Sequence, residues 1–433
     1  MKISIIGLGY VGLPLCIRFA SAGVKVLGLD IDSKKIDSIN SGESYVNHID
    51  SAIIRKLVNE GLLEASTEYH RIIDVDCVLI CVPTPLGLHS EPDISYILET
   101  GRMIAPYLKA SKGSSKKLVV LESTTYPGTT DEDLREVLEK GSGLSAGRDF
   151  HLAYSPERED PGRCDHTVKT IPKVVGGFTP ECLARCQALY ELAVDVIYPV
   201  GSTRVAEAAK LLENIFRSVN IALVNELKIL FDRMDIDVWD VIEAAATKPF
   251  GFMPFYPGPG LGGHCIPVDP FYLSWKAHEF GIHTRFIELA GEINTQMPEY
   301  VVSRITNCLN HSEKSVKGSR ILVLGLAYKP NVDDERESPS YRIMDILKDA
   351  GAEVQYYDPF VSTIPRKRQH TRWEGYSSVE WNKKTISAFD VVLISTAHEV
   401  VKWKELGEWA QCIVDTRNAM ANVPADSSKI WKA

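Results

Sequence analysis

The chain opens with an apolar block, "KISIIG", followed by "GLPLCIRFASAG", whose apolar positions recur at helical spacing, and by a second block, "KVLGLDID". Short β-branched runs read as buried strands, and a repeat of three and four residues reads as one apolar face of a helix. The first 30 residues are therefore expected to form a β-α-β unit. "DCVLICVPTP" and "KLVVLESTTYPG" repeat the strand pattern, each ending in a small polar or proline-rich loop. In an open parallel sheet such loops collect at the strands' carboxyl ends, where ligands bind. Thr84 and Thr125 are thus candidates to line a ligand site, with plain turn chemistry as the alternative.

From Arg204 to Phe231 the period changes. Val205, Ala208, Leu212, Phe216, Val219, Leu223, Leu227 and Leu230 form one stripe of a long helix. Glu207, Lys210, Asn214 and Arg217 fall on the opposite face, for which a solvated surface is the ordinary expectation. Further helical segments run to about residue 312, a natural spine and dimer surface between two α/β parts. Strand character returns at Arg320 with "RILVLGLAYKP", then a helix "SPSYRIMDILKDAG" and a strand "EVQYYDP". This second β-α-β unit partly echoes the first. "FDVVLIST" and "CIVDTRN" add two more strand-like runs. Lys329, Arg336 and Arg417 follow strands, where cations grip phosphate or close a cleft; surface ion pairing is the ordinary alternative for each.

Between the first strand and helix lies Gly7-Leu-Gly9-Tyr10-Val11-Gly12, a G-x-G-x-x-G in its required context, with Asp30 ending the next strand. The glycines permit a tight turn, close approach of a pyrophosphate and helix packing, and the helix N-terminus attracts phosphate. A carboxylate at Asp30 bonds a ribose 2′-hydroxyl and repels a 2′-phosphate, so NAD is expected rather than NADP.

With 45% hydrophobic and 24% charged residues the chain is globular, and 433 residues allow two or three domains. A net charge of −9 spread along the chain argues against a nucleic-acid or anionic-membrane partner. "PRKRQHTRWEG" is a short basic stretch read as an exposed loop. No apolar run reaches the ~18 residues of a membrane span. "MKISIIGLGYVG" shows no leader cleavage site, so a cytoplasmic, reducing setting is expected, with Cys265 a free thiol. Cys182 and Cys186 read as buried thiols in a helix rather than a zinc site, and no metal is expected.

"YPGPGLGGHCIPVDP" reads as a stiff loop presenting one thiol, Cys265, with Asp269 behind it. A thiol beside an NAD site matters when oxidation proceeds beyond an aldehyde. The thiolate then forms a thiohemiacetal, a second hydride leaves a thioester, and water releases an acid. That chemistry needs a cation or dipole near the thiol, donors for an oxyanion and a group to handle water's proton. Lys210, Asn214, Asp269 and Glu157 of "SPEREDPG" are the candidates.

Together "GLGYVGLP", "VPTP", "ESTTYPG", "SPER", "AEAAKLLENIFRSVNIALVNEL", "GPGLGGHCIPVDP", "GLAYKPNVDDERES" and "VDTRN" resemble the UDP-glucose/GDP-mannose dehydrogenase family over essentially the whole chain. The resemblance implies two Rossmann-like doubly wound α/β domains joined by a long central helix and a helical dimerisation region. Residues 1–200 would bind NAD, 201–312 would carry the dimer surface and Cys loop, and 313–433 would hold the UDP-sugar. It implies oxidation of C6 of a nucleotide-sugar to a carboxylate with two NAD, by a homodimer or higher oligomer. Cys265 would be the nucleophile, with Lys210 and Asn214 for oxyanions, Asp269 and Glu157 for water, and Thr125 touching water and cofactor. The cofactor would meet Gly7, Gly9, Tyr10, Val11, Gly12, Asp30, Lys35, Pro83, Thr84, Thr125 and Arg336. The substrate would meet Glu157, Arg158, Lys210, Asn214, Tyr256, Gly262, Gly263, Lys329 and Arg417. His264 is left without a role. "SPEREDPGR", where UDP-glucose members carry "PEF", resembles the branch acting on 2-acetamido sugars, UDP-N-acetylglucosamine above all, with UDP-N-acetylmannosamine and UDP-glucose as alternatives. A single-step NAD dehydrogenase and a non-catalytic NAD and nucleotide-sugar sensor are the competing readings.

Overall fold

The computed structural model describes all residues except 47–48, 88–90, 110–115, 159–167, 264 and 367–368, and Cys265 by its backbone alone. The chain divides into two compact units, Met1–Glu213 with Phe271–His283, and Asn214–Pro270 with Thr284–Ala433.

In the first unit, strands β1 (Lys2–Ile6), β2 (Lys25–Leu29), β3 (Leu63–Ser66) and β4 (Cys77–Ile80) precede β5 (Leu118–Leu121), β6 (His151–Tyr154), β7 (Lys173–Gly177) and β8 (Ile197–Val200). They form one sheet in the order β3-β2-β1-β4-β5-β6-β7-β8, parallel except where β7 runs against β6. The intervening helices are α1 (Gly12–Ser21), α2 (Ser33–Asn40), α3 (Ser51–Asn59), α4 (Ser95–Ile104), α5 (Arg135–Ser142) and α6 (Pro180–Tyr190). Alternate strand residues enter two cores. Ile3, Ile5, Leu79 and Val120 pack with Leu13, Phe19 and Ile54 of α1 and α3, while Ile6, Val78 and Val119 pack with Ile97, Ile104 and Leu138 of α4 and α5. Helices on both faces explain why β4 and β5 are apolar at every position.

The chain continues through α7 (Thr203–Arg233), α8 (Val238–Ala246), α9 (Cys265–His278) and α10 (Arg285–His311). The division into units cuts α7 after Glu213 and α9 after Pro270. The second unit holds β9 (Arg320–Leu324), β10 (Glu353–Tyr357), β11 (Val391–Ile394), β12 (Ile413–Asp415) and β13 (Ile430–Lys432), a parallel sheet ordered β10-β9-β11-β12-β13. Helices α11 (Pro339–Asp349), α12 (Lys383–Ile386) and α13 (Trp403–Trp409) belong to it. It echoes the first unit closely. Gly7 after β1 and Gly325 after β9 both have φ near 90°, and a Cβ on either would lie 2.5 Å from a carbonyl oxygen, of Cys81 or of Thr396. Asp30 after β2 accepts from Leu8 N at 2.8 Å, and Asp358 after β10 accepts from Leu326 N at 2.7 Å.

Three expectations are corrected. The polar row of α7 is not solvated: Glu207, Lys210 and Asn214 are buried, and only Arg217 is exposed. The apolar stripe faces outward instead, with Val205, Leu212, Phe216, Leu223 and Leu230 each 47–66% exposed. Burial of Glu207 and Asn214 is compensated by hydrogen bonds, which a periodicity argument cannot see. Second, the proline-rich stretch becomes helix at Cys265 rather than staying a loop to Pro270. The first turn of a helix has no acceptors for its N–H groups, so Pro267 is tolerated there. Third, against the reducing setting expected, Cys308 of α10 and Cys412 beside β12 are joined in a disulfide, while Cys182 and Cys186 are buried free thiols as expected. Among the described residues no helix is long and apolar enough to cross a membrane.

Candidate active site

The cofactor candidates lie in the first unit. Space is open where a Cβ of Gly9 would stand, which leaves the backbone accessible to a phosphate. Val11 precedes the first residue of α1, Gly12, whose own Cβ would collide with Gly7 O at 1.9 Å. Tyr10 packs on the adjoining core, and Tyr45 donates its hydroxyl proton to Leu8 O, fixing the turn. Asp30 is 6% exposed, accepts Leu8 N and Asp32 N, and meets Lys35 Nζ at 3.1 Å. A turn without side chains at Gly7 and Gly9, ending against a fixed carboxylate, suits an adenine dinucleotide lacking a 2′-phosphate. Pro83 is exposed; the next residue, Thr84, is buried and its carbonyl accepts the hydroxyl of Tyr272 from α9.

Thr125 is fully buried, its Oγ1 2.5 Å from Thr129 Oγ1. The π-helical turn Thr129–Leu134 that follows is capped by Glu207 of α7. This carboxylate accepts Gly128 N at 2.8 Å, Thr130 N at 3.0 Å and Thr130 Oγ1 at 2.7 Å. Burial raises its pKa to about 7 against the lowering pull of those donors.

Glu157 follows β6, with its own Oε1 accepting Arg158 N at 2.7 Å. Lys173 Nζ stands 3.6 Å from Glu157 Oε2, 2.6 Å from Glu122 Oε2 and 3.1 Å from Pro156 O. Tyr190 donates to the other oxygen of Glu122. Burial opposes the Lys173 charge, yet Glu122 and Glu157 outweigh it and hold its pKa above the usual lysine value. Arg158 reaches Glu213 at 2.7 Å and Pro172 O at 2.7 Å. Lys210 is 7% exposed on α7.

The remaining candidates lie in the second unit. Asn214 and Asp269 are 0% and 1% exposed, and Asn214 Nδ2 donates to Asp269 Oδ2. Arg217 donates to Asn214 Oδ1, which fixes the amide so that its NH2 group faces the carboxylate. Cys265 is the first residue of α9, four residues before Asp269. His264 lies outside the described residues, as does the segment 159–163 that carries the sugar-branch resemblance.

The glycines ahead of Cys265 let other side chains come close. A Cβ on Gly258 would lie 2.5 Å from Arg417 Nη1, and one on Gly262 or Gly263 would strike Tyr328 at 2.6 or 2.8 Å. Gly258 N donates to Asn225 Oδ1 at 3.0 Å, and Asn225 donates to Asn294 at 2.9 Å, tying the loop to α7 and α10. Arg417 lies under this loop, its Nε donating to Ser395 O at 2.9 Å; burial lowers its pKa to about 10, with Asp415 pulling the other way. A cation so desolvated favours an anionic ligand. Tyr256 stacks on Trp239 at 5.5 Å, and Lys329 is half-buried in the loop after β9. Arg336 is bonded to Asp334 at 2.6 and 2.9 Å, an ion pair within its own loop. Reasoning from sequence missed Glu122, Lys173, Tyr190, Glu207 and Tyr272. Two of them carried a signal: Glu207 by its place on the same helical face as Lys210, and Glu122 as the first residue of "ESTTYPG".

Comparison with known proteins agrees along the chain. The UDP-glucose/GDP-mannose dehydrogenase family matches by its NAD-binding domain at residues 1–194, its central domain at 204–296 and its UDP-binding domain at 322–422. A UDP-N-acetyl-D-glucosamine 6-dehydrogenase of Pseudomonas aeruginosa is 37% identical over 93% of this chain and 92% of its own. A UDP-N-acetyl-D-mannosamine dehydrogenase of Escherichia coli K12 is 34% identical over 99% of each. The solved UDP-D-ManNAc dehydrogenase of Pyrococcus horikoshii superposes with a TM-score of 0.88 at 33% identity, covering 100% of this chain and 99% of that one. With three domains matched in order around a dinucleotide turn, the chain belongs to the UDP-glucose/GDP-mannose dehydrogenase family and is an NAD-dependent UDP-sugar dehydrogenase.

Proposed function

We propose that this dehydrogenase oxidises C6 of UDP-N-acetylglucosamine to the carboxylate through a covalent bond to Cys265. The observation that carries the reading is the buried Asn214–Asp269 hydrogen bond one helical turn beyond the first residue of α9. NAD, when bound at the Gly7–Gly12 turn, supplies the hydride acceptor for both oxidations. The primary alcohol loses a hydride and its hydroxyl proton. Thiolate Cys265 adds to the aldehyde carbon, and loss of the second hydride leaves a thioester. Lys210 and Asn214 donate to the oxygen that gains charge in each tetrahedral species. Glu157 and Asp269 take the proton of the attacking water, the C–S bond breaks, and thiolate returns. Overall the alcohol, two NAD⁺ and water give the carboxylate, two NADH and three protons.

Residues 1–200, 201–312 and 313–433 would divide cofactor binding, the helical spine and UDP binding. Arg417, Lys329 and Tyr256 would hold the nucleotide, and Arg336 would reach the cofactor. The outward apolar stripe of α7 supports a homodimer. UDP-N-acetylmannosamine is a second reading, favoured by the name of the P. horikoshii structure. Purified protein with NAD⁺ and a panel of UDP-sugars, with NADH counted per sugar consumed, decides both points. Two NADH with UDP-N-acetylglucosamine and weak turnover of the mannosamine epimer is expected. One NADH per sugar, or preference for the epimer, contradicts the reading.

A further inference from the structure

We infer that Lys173, on the first residue of β7, is a positioning residue for the hydrolytic half of the reaction: its buried ammonium holds Glu157 charged and in place. The inference deepens the proposed function and rests on its assignment of Glu157 to water.

The geometry is that of a shared cation. An ammonium has three protons to give. Lys173 directs one to Glu122 Oε2 at 2.6 Å and one to Pro156 O at 3.1 Å, the residue just before Glu157. Glu157 Oε2 lies 3.6 Å away, within ion-pair reach. The lysine therefore tethers both the backbone and the charge of the turn after β6. Its side chain is 5% exposed, that of Glu122 0% and that of Glu157 14%. Two carboxylates this deeply placed stay ionised together only with a cation between them. Glu122, at the end of β5, is fixed in turn by Tyr190 OH, and the ammonium stands over the Tyr190 ring at 5.2 Å. Lys173, Glu122 and Cys81 stand close enough to Glu157 to feel its charge, while the Arg158 guanidinium pairs with Glu213.

The test compares Lys173→Met, Lys173→Arg and Glu157→Gln in the full-length enzyme with UDP-sugar and NAD⁺. The readouts are covalent adduct by intact mass, the two KM values and the pH profile of kcat. Lys173→Met should slow turnover about tenfold or more, accumulate sugar adduct as Glu157→Gln does, and leave both KM values within about threefold. Its acid limb should move to higher pH by about one unit, because removing a nearby cation makes a carboxylate easier to protonate. Lys173→Arg should restore most of the turnover. Should Lys173→Met not fold, Lys173→Met/Glu122→Gln removes cation and partner charge together and is held to the same outcomes. A folded variant with an unmoved acid limb and no adduct overturns the inference while Glu157→Gln still traps adduct. Full turnover by Glu157→Gln overturns the reading of Glu157 and the inference with it, and is a different result.

Discussion

Arg417→Met separates a cation kept for binding from one kept for folding. Burial lowers this guanidinium from its ordinary value to about 10. At about 1.4 kcal/mol per pKa unit, holding the charge there costs the ligand-free protein about 3 kcal/mol. The side chain returns about 1 kcal/mol through its bond to Ser395 O, together with packing under Gly258. Methionine keeps most of the packing volume and removes the charge. The ligand-free variant should therefore unfold no earlier than wild type and up to about 2 kcal/mol later, measured by denaturant titration. Binding should change in the opposite sense. A charge-assisted bond to a phosphate contributes about 1.5–3 kcal/mol, so KM for the UDP-sugar should rise about 10-fold or more while KM for NAD stays put. A structural arginine gives the reverse pattern: lower stability and unchanged KM. That outcome would refute the reasoning from desolvation.

Further outcomes follow from other buried or exposed groups. The Glu207 carboxyl stands at about 7 against an ordinary 4.5, with burial the main cause. The folded state thus holds this proton more tightly than the unfolded chain. The stability contribution is complete below about pH 4.5 and is lost as pH rises through about 7. Glu207→Gln should flatten the melting profile across that window, and an unchanged slope counts against the assignment. Glu207→Ala, which leaves the N–H groups of Gly128 and Thr130 without their acceptor, should cost about 3 kcal/mol and lower the melting temperature by several degrees. Leu212→Glu with Leu223→Glu, at sites 66% and 50% exposed, should leave circular dichroism intact and shift light-scattering mass toward the monomer; an unmoved mass would remove the stripe from the interface.

Much of this architecture is written locally. The β1-turn-α1 unit is legible because apolar strand, glycine turn and helical stripe occupy adjacent residues, and the same holds for β9 and α11. What escapes is pairing at a distance. Glu122 and Lys173 are separated by 51 residues, Gly128 and Glu207 by 79, and neither partner shows its burial in its neighbours. The α7 stripe was legible as a period but not as a direction, since a polar face buried through hydrogen bonds yields the same 3.6-residue repeat as a solvated one. The start of α9 was hidden for a related reason. Proline and glycine mark turns, but proline is equally at home where a helix begins.

The central claim is that Cys265 carries the sugar between the two oxidations. Its most direct test is to quench the wild-type enzyme during turnover, digest it and weigh the peptide containing Cys265. That peptide should be heavier by one UDP-sugar at the aldehyde or acid level, with no adduct after Cys265→Ala. A carboxylate product formed with the mass found on another side chain, or on none, would contradict it.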